Sequence, residues 1–168
     1  MKPVCLVLGA GAGIGGTVAA KFAREGYHSC LCRRSDQEGL DRLVKGIEDE
    51  GGSANGYLIN AIEENVLEEL ITKVESEVGP IEVVVYNLGA QTGMKLLDKT
   101  SLKEYEWGWR MASLGLFRVA KVLCPIMKER GKGTILVTSA TAAMRGNATQ
   151  HSHAAAMGAR RMLCQSLN

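Results

Sequence analysis

The chain has 168 residues, of which 46% are hydrophobic and 23% are charged, a length and composition that fit one globular domain with a real core. Its formal net charge of +2 is too close to neutral to predict binding to nucleic acid or to an anionic membrane. No apolar run reaches the roughly 20 residues that a membrane-spanning helix needs. We therefore expect a single domain over residues 1–168 in the cytoplasm, with neither nucleic acid nor a membrane as partner.

Short apolar runs alternate with helix-like segments along the whole chain. The predicted elements, in chain order, are a strand at 3–9, a helix at 14–25, a strand at 27–32, a helix at 36–50, a strand at 54–60, a helix at 63–78, a strand at 81–87, a helical stretch at 101–130 that breaks near Gly108 or Gly115 and bends near Pro125, a strand at 133–139 and a helix at 152–168. This alternation predicts an α/β fold, a Rossmann-type doubly wound parallel sheet in three α/β/α layers. Ligands of such sheets bind at the carboxyl ends of the strands, where the strand order reverses.

A glycine-rich turn follows the first strand. The string GAGAGIGG runs from Gly9 to Gly16 and contains both G-x-G-x-x-G and G-x-x-x-G-x-G. Glycine lets the backbone turn tightly and lets a pyrophosphate approach, and the helix that follows offers free N–H groups to the anion. The turn therefore predicts a dinucleotide site. The alternative is a turn whose glycines serve only close helix packing.

The second strand ends in two arginines, Arg33 and Arg34, and Asp36 follows two residues later. A carboxylate at the strand end would bind the adenosine ribose hydroxyls, whereas two guanidinium groups suit a 2′-phosphate. The pair favours NADP(H) over NAD(H), the alternative being a solvated basic strand end. Asp36 is predicted to cap the next helix.

The five cysteines are odd in number and widely scattered, which does not suggest a disulfide framework. Cys30 and Cys32 share one face of the second strand. Without nearby histidine or cysteine partners they do not form a tetrahedral ligand set, so we predict no metal site. We interpret them as buried apolar thiols in a reducing compartment.

These motifs, in this order, resemble the short-chain dehydrogenase/reductase family. The family's turn T-G-x-x-x-G-I-G is matched by LGAGAGIG at 8–15, with leucine in place of threonine, and its N-A-G motif by Asn87 and Gly89. Asn60 stands where the family usually has an aspartate that touches the adenine, and 131–146 is similar to the family's fifth strand and its following loop. Together with the two arginines, the resemblance implies cofactor contacts from Gly9, Gly11, Gly13, Ile14, Gly15, Arg33, Arg34, Asn60, Asn87 and Gly89.

The family usually continues for two more strands and a substrate loop. The resemblance therefore implies that this chain is either a fragment or a form that lacks the usual substrate lid. Relatives pair their subunits through the helices that correspond to 101–130 and 152–168, which implies a homodimer or a homotetramer.

The family's reaction is hydride transfer between a nicotinamide and a carbonyl or alcohol. A tyrosine protonates the carbonyl oxygen, a lysine four residues later assists it, a serine thirteen residues earlier steadies the substrate, and an asparagine on the long helix completes a proton relay. Here those positions fall on His153, Met157, Ala140 and Ala112, respectively. All four family residues are replaced, so the usual mechanism does not carry over.

Substitute residues stand close to the replaced positions. His153 can act as an acid, because imidazole titrates near pH 6.5 without help from a lysine. The alternative to a catalytic role is that His153 is merely a residue at the start of a helix, beside a cleft that has lost its catalytic residues. Ser139, next to Ala140, is a second catalytic candidate, and Arg161, one helical turn beyond Met157, can partly replace the missing cation.

Three hypotheses follow for the function. The first is an NADP(H)-dependent oxidoreductase that acts on a small carbonyl or alcohol through a non-standard site. The second is a catalytically silent NADP(H)-binding protein, such as a sensor, a scaffold or a partner subunit. The third is a degenerate chain that binds neither nucleotide. A serine nucleophile is not predicted, because Ser152 and His153 are neighbours at a helix start and point apart.

Overall fold

Strands and helices alternate along the chain as the sequence predicts. The computed structural model describes residues 1–89 and 93–167. Its regular elements are β1 (Val4–Leu8), α1 (Ile14–Arg24), β2 (His28–Arg33), α2 (Gln37–Asp49), β3 (Ser53–Leu58), α3 (Val66–Glu77), β4 (Ile81–Tyr86), α4 (Leu102–Trp109), α5 (Gly115–Arg130), β5 (Thr134–Val137) and α6 (His151–Ser166). The predicted helix at 63–78 begins three residues late, because Asn65 adopts a left-handed conformation with φ of 63°.

The five strands form one parallel sheet in the order β3-β2-β1-β4-β5. The chain moves outward from β1 through β3, then returns to the other side of β1 with β4, so the strand order reverses between β1 and β4. Leu8 at the end of β1 lies level with Cys32 and Tyr86. The residues that follow these strands therefore meet at the switch point, the place where such sheets bind ligands.

Each face of the sheet has its own hydrophobic core. Along β1, Leu6 and Leu8 pack with α3 and α5, while Cys5 and Val7 pack with α1 and α2. Alternate residues of a strand point to opposite faces, so one short strand serves both cores. This arrangement confirms the predicted three-layer, Rossmann-type fold.

The long helical stretch changes its hydrogen bonding between α4 and α5, where Arg110–Leu114 form a π-helical turn. The hydroxyl of Tyr86 donates to the carbonyl of Met111 at 2.5 Å. In an α-helix that carbonyl would accept from the amide of Gly115, which here donates to Arg110 instead. The irregularity that the sequence predicts near Gly108 or Gly115 is thus a π-helical turn, in which the Tyr86 hydroxyl takes the place of the Gly115 amide at the Met111 carbonyl.

Three cysteines lie inside the sheet. Cys5, Cys30 and Cys32 are buried, and burial raises the pKa of the first two thiols to about 12. Thiols held in the protonated form are poor nucleophiles, so the prediction of buried apolar cysteines in the strands is confirmed.

In the part of the chain that the structure describes, no helix is both long enough and apolar enough to cross a bilayer.

Candidate functional site

The glycine turn between β1 and α1 is packed tightly on two sides. Gly9 has a φ of 95°, and a Cβ there would lie 2.6 Å from the carbonyl oxygen of Asn87. A Cβ at Gly15 would overlap the carbonyl oxygen of Gly9. Both glycines are therefore required by close backbone approach, which brings the first turn of α1 against the ends of β1 and β4.

Two other glycines of the turn leave open space. A Cβ at Gly11 or Gly13 would meet no heavy atom within 4 Å among the described residues. The first amides of α1 that have backbone acceptors are those of Gly16 and Thr17. The amides just before them point out of the N-terminus of the helix, which favours an anion. The turn thus combines close packing with a cradle that fits a phosphate group.

A small cavity beside the turn is lined by Gly9, Arg33, Arg34 and Asn60. The side-chain nitrogen of Asn60 donates to Glu63 at 2.9 Å. Its oxygen Oδ1 is buried and has no hydrogen-bond partner in the described part of the chain. Buried acceptors normally have a partner, so this cavity fits a ligand that presents an N–H donor, as the adenine amine does.

The two arginines at the end of β2 differ in their surroundings. Arg33 forms an ion pair with Asp36 at 2.9 Å. Asp36 also accepts from the amide of Gly39 at 2.9 Å, which confirms it as the cap of α2; that bond, together with Arg33, lowers the pKa of Asp36. Arg34 has no ion pair among the described residues, so its charge remains available to a ligand.

A second cavity, of about 290 Å³, lies on the other side of the turn. Its lining residues are Ile14, Asn87, Leu88, Gly89, Thr138, Ser139, Ala140, His153, Met157 and Arg160. Cofactor candidates and catalytic candidates therefore line one cavity at the switch point. Asn87 fixes its near wall, because its side-chain amide donates to the carbonyl of Gly9 at 2.9 Å.

Three of the replaced catalytic positions form an apolar cluster. Ala112 and Met157 are buried together with Ala156, and Ala140 packs against them. The four family positions thus come together in space as the resemblance implies, but three of them carry no polar group.

The fourth position, His153, lies in the first turn of α6 and is only 8% exposed. Its Nδ1 is buried and has no hydrogen-bond partner in residues 1–89 and 93–167. The neighbouring Ser152 donates from Oγ to the carbonyl of Glu104 at 2.9 Å. Ser152 therefore binds the backbone of α4, whereas His153 lines the cavity with one buried ring nitrogen that has no partner among the described residues.

The cation of this cavity is Arg160, which the sequence analysis missed. The sequence offered Arg161 as a partial substitute for the lysine, displaced along the helix, but Arg161 is not among the residues that line the cavity, whereas Arg160 is. His153, Met157 and Arg160 are spaced i, i+4 and i+7, which places them on one face of a helix. That spacing in the sequence could have predicted that Arg160 shares a helix face with His153 and Met157.

The guanidinium of Arg160 is held by three elements at once. It donates to the carbonyls of Ala112 at 2.9 Å, Thr138 at 3.1 Å and Leu88 at 2.7 Å, and it lies 5.0 Å from the ring centre of Tyr86. Arg160 is 1% exposed, and burial lowers its pKa. A guanidinium remains charged in proteins, so the cavity contains a buried positive charge.

Comparisons with known proteins agree with this architecture. The sequence model of a family described as short chain dehydrogenase matches residues 3–168. The chain is 31% identical over 154 residues to a 3-oxoacyl-(acyl-carrier-protein) reductase of Thermotoga maritima, covering 90% of this chain and 61% of that protein. It is 27% identical over 164 residues to a 2-dehydro-3-deoxy-D-gluconate 5-dehydrogenase of Formosa agariphila, covering 98% and 62%. The chain thus spans about three fifths of the length of these relatives.

Solved structures match the fold closely. A short-chain dehydrogenase from Rhodopseudomonas palustris has a TM-score of 0.92 at 30% identity, with 98% of this chain and 76% of that chain covered. A gluconate 5-dehydrogenase from Burkholderia cenocepacia in complex with NADP and tartrate has a TM-score of 0.87 at 28% identity, covering 98% and 64%. An actinorhodin polyketide ketoreductase with NADPH has a TM-score of 0.90 at 27% identity, covering 99% and 64%.

Proposed function

Because the chain belongs to the short-chain dehydrogenase family, we propose that it is an NADP(H)-dependent oxidoreductase with a non-standard catalytic site. Its substrate is a small carbonyl compound or the corresponding alcohol. The observation that carries the proposal is the cavity of about 290 Å³, in which cofactor candidates and the His153 ring meet at the switch point of the sheet. A polar group with an orphaned atom in such a cleft is typical of a reactive site.

Two sets of residues would hold the cofactor. The amides at the start of α1 and the open space at Gly11 and Gly13 fit its pyrophosphate. Asn60 Oδ1 fits the adenine amine. Arg34, whose charge is free, would bind the 2′-phosphate, and this supports NADP(H) over NAD(H). When bound, the cofactor supplies or accepts the hydride.

The chain's own part in the reaction is proton transfer and shielding. His153 would hold a proton on a ring nitrogen and donate it to the carbonyl oxygen during reduction, and would take it back during oxidation. Its low exposure keeps bulk water away from the ring. Ser139, which lines the same cavity, would donate a second hydrogen bond to the substrate oxygen.

A titration of NADPH and of NADH into protein of verified mass tests the cofactor assignment. We expect NADPH to bind more tightly. Arg34→Ala should lose roughly 10- to 100-fold in NADPH affinity and leave NADH unchanged, because one charge-assisted contact is removed. Arg33→Ala is the matched variant and should lose less, since Asp36 already neutralises that charge. Equal affinity of the wild type for both nucleotides contradicts the preference, and binding of neither favours a degenerate chain.

Oxidation of NADPH with a panel of aldehydes and ketones tests catalysis. His153→Ala should abolish turnover while NADPH affinity stays the same, because only the proton donor is removed. An unchanged rate in that variant would exclude His153 as the acid.

The second candidate function is a silent NADP(H)-binding protein. It is favoured by the apolar cluster of Ala112, Met157 and Ala140, which supplies no proton relay. Binding of NADPH at micromolar levels with no turnover on the whole panel would support it over the oxidoreductase.

Assembly and location complete the proposal. Large apolar side chains are exposed on the outer helices: Tyr105, Trp109, Phe117 and Met162. Exposed aromatic and methionine side chains favour subunit contacts, which supports a homodimer or homotetramer. Light scattering after gel filtration measures the oligomeric state.

The five free thiols support a reducing compartment, the cytoplasm.

A further inference from the structure

Within residues 1–89 and 93–167, the buried charge of Arg160 has no carboxylate partner. Its three acceptors are neutral backbone carbonyls, and no carboxylate lies within 4.0 Å of it among the residues that the structure describes. Buried charges in proteins are normally paired, because removal from water is costly. A buried and unpaired guanidinium beside a cavity is therefore a place where an anionic ligand would be stabilised.

The surroundings of the cavity strengthen this reading. In the part of the chain that the structure describes, no aspartate or glutamate lines it. An adjoining cavity, formed by the loop after β5, also lacks acidic side chains among its lining residues and includes Arg145. The carboxylate of Glu104, on the helix that packs against α6, is occupied by Lys95 and by the Ser101 cap. Among the described residues, the two cavities are thus lined by positive and neutral groups.

The guanidinium also has donors to spare. An arginine carries five N–H groups, and Arg160 uses three of them on the described carbonyls. Those three bonds fix the plane of the guanidinium against the residues that follow β4 and β5 and against the π-helical turn. A preorganised donor of this kind recognises planar carboxylates well.

We infer that the cleft takes a carbonyl substrate that carries a carboxylate, with Arg160 as the residue that selects it. The inference rests on the proposed function and deepens it by naming the substrate class. It assigns Arg160 to substrate recognition, whereas His153 remains the proton donor.

Acetoacetate and methyl acetoacetate form a matched pair of probes, since they share the ketone and differ in the negative charge. We expect calorimetric titration into wild-type protein loaded with NADP+, which cannot reduce either ketone, to show roughly 10- to 100-fold tighter binding of acetoacetate. Arg160→Met should reduce this ratio to about 1, and Arg160→Lys should keep most of it because the charge remains. Arg161→Met removes the same charge one residue away and should leave the ratio unchanged.

Several results would overturn the inference. They are equal binding of the two probes to the wild type, an unchanged ratio in Arg160→Met, or loss of the ratio in Arg145→Met alone. A preference seen only without NADP+ would assign the anion site to a cofactor phosphate instead. If Arg160→Met does not fold, Arg160→Gln retains an amide donor for the carbonyls and carries the same comparison. Failure of the proposed function has a different signature, since NADPH itself would then not bind or no carbonyl would be reduced.

Discussion

The two sides of the switch point differ in the chemical groups that they present to a ligand. On the adenosine side, the glycine turn and the end of β2 present open space, free amides and an orphaned acceptor on Asn60. On the proposed catalytic side, Ala112, Met157 and Ala140 form an apolar cluster, and the polar groups that line the cavity include His153, Ser139 and the buried Arg160. The proposed cofactor binding and the proposed chemistry thus rest on different residues of one scaffold, and each can be altered while the other is measured.

The adenosine side can be broken most severely at Gly15. A Cβ there would overlap the carbonyl oxygen of Gly9, and two backbone segments would have to separate. We expect Gly15→Ala to lower the free energy of unfolding by about 3 kcal/mol, in the range of overpacking in a dense interior, and to abolish NADPH binding. Urea unfolding and calorimetry measure the two effects.

Gly11→Ala is the matched control within the same turn. Its Cβ would enter open space, so stability should change by less than about 0.5 kcal/mol, whereas NADPH affinity should fall because the methyl group occupies the anion cradle. A Gly11→Ala variant that is as unstable as Gly15→Ala would show that the open space is not available for a ligand.

The catalytic side can be altered through Tyr86 and Gly115. A Cβ at Gly115 would overlap the Tyr86 hydroxyl, so Gly115→Ala alone should destabilise the protein by about 2 kcal/mol. Tyr86→Phe alone should cost about 1 kcal/mol, the usual worth of a lost hydrogen bond. In the double variant the obstruction is gone and the amide of residue 115 can return to the Met111 carbonyl.

The double-mutant cycle therefore predicts a coupling of about 1–2 kcal/mol between these two positions. Additive costs would mean that the hydroxyl does not cause the π-helical turn. Nicotinamide cofactor binding at the adenosine side should be little affected in all three variants, which keeps the two sides distinct.

The same two sides differ in how far the sequence predicts them. The glycine turn, the strands and the Asp36 cap follow from local patterns, and the structure has them where the patterns predict. The choice between Arg160 and Arg161 does not follow locally, since neighbouring helix residues point about 100° apart and only the rotation of α6 against the sheet decides which one enters the cavity. The insertion of the Tyr86 hydroxyl joins residues 25 positions apart, and no local pattern contains it.

The smallest expected effect concerns Glu104 near the start of α4, whose carboxylate binds Lys95 and the Ser101 cap. The hydrogen bond from Lys95, followed by those from Ser101, lowers the pKa of Glu104 to about 2 from its ordinary 4.5. A carboxyl whose pKa is lowered by folding contributes stability that is fully present above its unfolded pKa and is lost as the pH falls through its folded pKa. The contribution should therefore disappear between about pH 4.5 and pH 2.

Glu104→Gln tests this, because glutamine can still bond the Ser101 amide in the capping box but has no charge for Lys95. The melting temperature of the wild type should exceed that of the variant at pH 7, and the difference should shrink as the pH falls from about 5 to 2. Lys95→Met should move the pKa of Glu104 back toward 4.5, which a carboxyl titration followed by NMR measures. A constant difference between wild type and Glu104→Gln across this range would assign the role of Glu104 to its shape rather than its charge. Neither Glu104 nor Lys95 is among the residues that line the two cavities proposed for the cofactor, so NADPH affinity should stay unchanged in both variants.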